Sequence, residues 1–182
     1  MSEARTVHLL RHGATVRPGL LLGHLDVAIT APGIADCVRV AAGVTFTQVV
    51  SSDLSRAAAC AAALGAPVRH DARWRELDFG AWDGRDPATL PADALAAFWH
   101  DPDANPPPGG ERWSALVARV AAALADLPDA TLAVTHGGAI RAALASACGF
   151  DARQVWAFDL PCAALLTLKL WPDTAQIVAL RT

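Results

Sequence analysis

A chain of 182 residues, 53% apolar and 18% charged, is long enough to bury a core and too apolar to remain disordered. With 15 Lys+Arg against 18 Asp+Glu the formal net charge is -3, and without basic runs neither nucleic acid nor a membrane surface is expected as a partner. Residues Met1 to Arg5 lack the apolar core of a signal peptide, and no apolar stretch is long enough to span a bilayer, so a cytoplasmic protein is expected.

The first element is Val7-His8-Leu9-Leu10, an apolar run ending in Arg11-His12-Gly13. It reads as a buried strand whose last residues emerge at a sheet edge and turn tightly at Gly13. Residues 14–29, with Pro18 and several glycines, form a loop. Thr30 caps a helix over 31–42, with Ile34, Val38 and Ala41 on its apolar side. A second strand covers 48–51, and Ser52-Asp53 offer a cap for a helix over 54–64 that Gly65 and Pro67 stop. Val68 opens a third, weaker strand, and 74–84 form an irregular loop dense in charge and aromatics. One or two short helices fill 87–100, followed by a proline-rich connection over 101–110. A long amphipathic helix spans 111–127, with Leu116, Val117, Val120 and Leu124 on one face and Glu111 charging its first turn. The fourth strand, 132–135, leads through His136-Gly137-Gly138 into a helix over 139–148. Two further strands, 163–170 and 176–180, meet at a turn of Pro172-Asp173-Thr174. Strands alternating with helices predict an α/β fold, a three-layer α/β/α sandwich with a mostly parallel sheet. One domain over 1–182 is expected, with an insertion at about 81–110 as a cap over the site.

Ligands of open α/β sheets sit beyond the carboxyl ends of the strands. There the chain delivers Arg11 and His12, Arg56 on the opening turn of a helix, Glu76 in its charged loop, and His136 before two glycines at a helix start. Two arginines, two histidines and a helix N-terminus make an electropositive pocket suited to phosphate. His12 can attack phosphorus directly, while Arg11, Arg56 and His136 steady the charge on the equatorial oxygens. Glu76 can deliver the proton that the departing oxygen needs, with Asp78 and Asp83 of the same loop as alternative donors. Because side chains supply the positive charge, neither a metal nor a cofactor is expected. Cys37, Cys60, Cys148 and Cys162 have no metal-ligand spacing and are expected to be buried, reduced thiols.

Four ordered motifs resemble the histidine phosphatase superfamily, also called phosphoglycerate-mutase-like, over nearly the whole chain. They are Arg11-His12-Gly13, Ser52-Asp53-Leu54-Ser55-Arg56-Ala57, Glu76 four residues ahead of Gly80, and Thr135-His136-Gly137-Gly138. The resemblance implies a phosphohistidine intermediate on His12, a proton donor at Glu76, and phosphate held by Arg11, Arg56 and His136. Two positions depart from the pattern. Ala14 stands where many members carry an acidic or amide residue, and Pro18 where many place an asparagine that helps hold phosphate. The spacing of Gly19, Gly23 and Asp26, and the late Trp156-Ala157-Phe158, are similar to α-ribazole phosphatases. Those enzymes remove the 5′-phosphate from α-ribazole phosphate or its cobamide counterpart in cobalamin synthesis.

The expected activity is metal-independent hydrolysis of a small-molecule phosphate monoester, with α-ribazole 5′-phosphate as the substrate. A broad-specificity phosphatase, a phosphoglycerate mutase and a non-catalytic phosphate binder are the alternatives. Between Asp83 and Gly110, Arg85 is the only Lys or Arg among five aspartates, which opposes a second anionic subsite there. Trp82, Phe98, Trp99 and Trp113 are candidates to line a pocket for a flat, neutral leaving group, and Trp74 is expected in the core. His8 is expected to pack or hydrogen-bond, and His70 and His100 to lie at the surface. His24 sits in a loop able to approach the substrate. Nothing in the sequence specifies an oligomeric state.

Overall fold

The computed structural model describes residues 4–182. Its sheet comprises β1 (Arg5–Arg11), β2 (Gln48–Ser51), β3 (Val68–His70), β4 (Thr131–Thr135), β5 (Leu165–Leu170) and β6 (Ala175–Arg181). The spatial order is β3-β2-β4-β1-β5-β6. The first four strands of that order run parallel, and the terminal hairpin of β5 and β6 adds antiparallel to β1.

Helices α1 (Ala31–Ala41) and α2 (Ser55–Ala62) contribute to one buried cluster, with Leu10, Leu132, Val134 and Leu165 from the sheet. After α3 (Ala92–His100), helices α4 (Trp113–Ala125) and α5 (Gly137–Cys148) build the other cluster, with Val7, Leu9, Ala133 and Leu166. Successive residues of a strand point to opposite faces, so a strand buried on both sides reads as an unbroken apolar run. That is why β1 and β4 stand out in the sequence. The result is a three-layer α/β/α sandwich. Among the described residues, no helix is long and apolar enough to cross a membrane.

Several element ends differ from the sequence reading, each for a local reason. Helix α4 starts at Trp113 because the Asp103 carboxylate accepts the Ser114 N–H at 2.7 Å, while Glu111 turns away to pair with Arg119. Glu111 therefore does not charge the first turn. Helix α2 is capped by neither Ser52 nor Asp53 as expected. Asp26 instead accepts both the backbone N–H (2.8 Å) and the hydroxyl (2.6 Å) of Ser55, and Asp53 is taken by Arg75 at 2.7 and 2.5 Å. A short helix not anticipated, α6 (Ala152–Val155), is nucleated by a reciprocal capping box between Asp151 and Gln154. Strand β5 begins only at Leu165, because Ala163 adopts a left-handed φ of 61°. Such a conformation costs a non-glycine residue about 1–2 kcal/mol. It turns the Ala163 N–H onto the His12 carbonyl at 3.1 Å.

The register decides where the site lies. Arg11 stands opposite Thr135, and Ser51 opposite Val134, so β1, β2 and β4 end at one edge. Backbone N–H groups of His12 and Ser52 continue the ladder beyond it, to Thr135 and Val134, each at 2.9 Å. The segment after Phe79 forms single turns at Gly80–Trp82 and Pro87–Thr89, then α3, then the proline-rich connection. It is anchored by Phe98, whose buried ring meets Phe79 and Trp82 edge-on at 6.1 and 5.8 Å. The cysteine expectation holds only in part. Cys37 and Cys60 are buried free thiols 3.1 Å apart beneath the Gly13 N–H, but Cys148 is half-buried and Cys162 is exposed.

Candidate active site

His12 leaves β1 with its ring almost wholly enclosed, and its Nδ1–H donates to the Gly13 carbonyl at 2.8 Å. That bond fixes the tautomer and leaves the lone pair on Nε2. Burial is the main reason that the His12 pKa falls from 6.5 to about 3; Arg56 and Arg11 lower it further, against the opposing Gly13 carbonyl. The imidazole is therefore neutral and nucleophilic at neutral pH.

His136 lies 5.1 Å from His12 between ring centroids and has no exposed surface. Burial, then the neighbouring His12 imidazole and the charges of Arg56 and Arg11, hold its pKa well below the ordinary value. Its Nε2 is 2.9 Å from the Ser52 hydroxyl, which itself accepts the Leu54 N–H at 3.3 Å. Among the described residues the Ser52 hydroxyl proton has no other acceptor, so it goes to Nε2; Nδ1 then carries the ring hydrogen, and that nitrogen has no partner. Arg56, also fully buried, donates to the carbonyls of Leu22 (3.1 Å), Gly23 (2.6 Å) and Leu25 (3.0 Å), pinning their loop, while its Nε–H is left over. Arg11 reaches the Leu160 carbonyl with a terminal nitrogen, and its Nε–H is likewise unpartnered. An unsatisfied buried donor costs about 1–3 kcal/mol. Three of them near one neutral imidazole form a place for an anion that brings its own acceptors.

Glu76 accepts the Leu77 N–H at 2.8 Å on one oxygen and the Gly138 N–H, from the first turn of α5, at 2.9 Å on the other. The approach requires glycine at 138, since a Cβ there would stand 2.0 Å from the carboxylate. Arg119 braces the loop from α4 by donating to the carbonyls of Arg73, Arg75 and Glu76, each at 2.8 Å, and to Glu111 at 2.7 and 2.8 Å. The other carboxylates of this loop are engaged elsewhere. Asp83 ties down the N–H groups of Gly23 and Leu25 at 2.8 and 2.7 Å, and Asp78 accepts from Gly80 at 2.8 Å.

Arg11, His12 and Glu76 line an open cleft of about 430 Å³, whereas Arg56 and His136 lie behind its surface. Its remaining walls are largely apolar and include Phe79, Phe98, Trp99, Trp113 and Trp156. Trp82 is buried under Phe98 and does not reach the cleft, while Cys162 does. His24 stays outside and holds the Glu76 carbonyl through Nε2 at 3.1 Å. His8 bonds the Thr167 hydroxyl at 3.0 Å, and Trp74 is core. Sequence reasoning gave no site role to Ser52, Arg119 or Arg141. Ser52 follows a strand end directly, and Arg141 sits one helical turn after Gly137, both readable signals. Arg119 carries none, because its partners are distant in the chain.

The family model described as Histidine phosphatase superfamily (branch 1) matches residues 7–182. The Mycobacterium tuberculosis protein named glucosyl-3-phosphoglycerate phosphatase is 36% identical over 164 residues, 77% of this chain and 74% of that one. The Salmonella choleraesuis protein named "Probable phosphoglycerate mutase GpmB" is 33% identical over 165 residues, 80% of this chain and 76% of that one. Among solved structures, the α-ribazole phosphatase of Shigella flexneri superposes with a TM-score of 0.85 at 26% identity, covering 97% of this chain and 96% of that one.

Proposed function

The chain belongs to the histidine phosphatase superfamily, an enzyme of the phosphatase kind, and we propose that it hydrolyses small phosphate monoesters through a phosphorylated His12. One observation carries the reading: a buried, neutral imidazole with its Nδ1 tied to Gly13 stands among donors that lack acceptors. In the first step His12 Nε2 attacks phosphorus in line, the P–O ester bond breaks, and Glu76 gives a proton to the leaving oxygen. In the second, Glu76 takes a proton from water, whose oxygen displaces phosphate from Nε2. Arg11, Arg56 and His136 hold the equatorial oxygens throughout, and supply the positive charge that the transferring group needs without a metal.

For the substrate, we infer α-ribazole 5′-phosphate, or a monoester with a similarly flat, neutral leaving part. Support comes from Trp99, Trp113 and Trp156 on the walls of the cleft, which suit stacking with such a group. One observation favours a phosphoglycerate-type substrate instead. Arg17 and Arg141 both line the cleft, cations that counting residues 83–110 alone does not include.

The test is turnover of an aryl phosphate in the presence of a chelator, by the parent and by His12→Ala. Loss of turnover in the variant, with acid-labile phosphate trapped on the parent, is expected. Parental rates from His12→Ala would remove His12 as the nucleophile. Comparing kcat/KM on α-ribazole 5′-phosphate, phosphoglycerates and sugar phosphates then decides the substrate.

A further inference from the structure

We propose that Arg141 is a further phosphate-binding residue, which closes with Arg11 as a clamp of two guanidinium groups on the phosphoryl oxygens. This rests on the phosphatase reading above and adds a contact outside the four motifs.

Arg141 lies on α5, and its side chain lines the cleft beside Arg11. The two guanidinium groups converge on the side-chain-free corner at Gly137. A Cβ built there would lie 3.3 Å from a terminal nitrogen of Arg141 and 3.4 Å from Nε and Cζ of Arg11. Two cations brought together repel each other unless an anion lies between them. Among the described residues, neither has a carboxylate within ion-pair distance, and Glu76 attracts Arg141 only from beyond it. Each also keeps a buried Nε–H without an acceptor. A phosphoryl group, with several acceptor oxygens and up to two negative charges, answers both deficits at once.

Arg141 is held in place for that contact. One terminal nitrogen donates to the Phe158 carbonyl at 3.1 Å, and its Cζ stacks 4.2 Å over the Trp156 ring. Trp156 in turn meets Trp99 of α3 edge-on at 4.9 Å. The guanidinium plane is thereby set before any ligand arrives, which lowers the entropy lost on binding. Pro18, which also lines the cleft, has no N–H to offer an anion.

The experiment is calorimetric titration of inorganic phosphate and orthovanadate into the full chain and into Arg141→Met and Arg141→Lys. Loss of a charge-assisted contact should weaken phosphate binding by about tenfold to a hundredfold in Arg141→Met. Arg141→Lys should recover part of it, as a point charge without the fork. The loss in kcat/KM should then be the same for every monoester, whatever its leaving group. Phosphate affinity within twofold of the parent in Arg141→Met, or a loss confined to substrates with a second anionic group, would overturn the clamp. Should Arg141→Met fail to fold, Arg141→Gln is judged by the same two criteria. Binding is read without turnover, so the two claims separate. A parent that binds phosphate but hydrolyses nothing defeats the hydrolase, whereas unchanged affinity in the variants defeats the clamp.

Discussion

Lowering the pH should destabilise this protein through His12. His12 titrates near 3 in the fold, against an ordinary value of 6.5, because burial and the neighbouring arginines oppose its protonation. Below pH 6.5 the unfolded chain therefore binds a proton that the folded chain refuses until about pH 3, and stability falls as the pH drops through that window. Each pH unit inside it is worth about 1.4 kcal/mol for one such group. Between pH 7 and pH 5, His12 alone should remove about 2 kcal/mol, a figure governed by the ordinary value and unchanged for any folded value below about 4. His136, also held low by burial, adds a loss of the same sign. Urea unfolding of the parent and of His12→Asn at both pH values isolates the His12 share. The parent should lose about 2 kcal/mol more than the variant. If both lose the same amount, His12 is protonated in the fold at pH 5, and the neutral, buried imidazole described above is wrong.

Two other perturbations follow from the hydrogen-bond geometry. Ser52→Ala takes away the hydroxyl that directs the His136 ring hydrogen to Nδ1, so kcat should fall by about tenfold or more while KM changes little, and Ser52→Thr should retain most of the rate. Steady-state kinetics at several pH values checks this, and a parental kcat in Ser52→Ala would mean that the tautomer is set in another way. Gly138→Ala places a methyl group 2.0 Å from the Glu76 carboxylate in its present position and must displace it. Both Gly138→Ala and Glu76→Gln should slow alkyl phosphates more than activated aryl phosphates, whose leaving oxygens need no proton. Equal losses on the two substrate types would remove Glu76 as the proton donor.

Two arginines tie down the loops from which much of the site is built. Arg119 gathers three successive parts of the Glu76 loop onto α4, and Arg56 gathers three carbonyls of the loop over 22–25. Each uses the five-donor fork of arginine to satisfy backbone acceptors that no sheet or helix could reach. A substitution by lysine at either position keeps the charge but cannot reproduce that set of contacts.

The amino-acid sequence by itself determined the layered α/β order and the polar residues at the strand ends. The unbroken apolar runs of β1 and β4, and the glycines after His12 and His136, are local properties that survive in one dimension. Only the tertiary structure decided which of those polar groups meet. Register set Ser52 beside His136, the left-handed turn at Ala163 locked the His12 carbonyl, and the helix start at Gly137 brought Arg141 toward Arg11. It also separated Glu76 from Asp78 and Asp83, three carboxylates that look alike in a charged loop but end on different partners. Such contacts join residues far apart in the chain, and their distances depend on how two faces of one sheet are packed. That is information no local pattern of residues can hold.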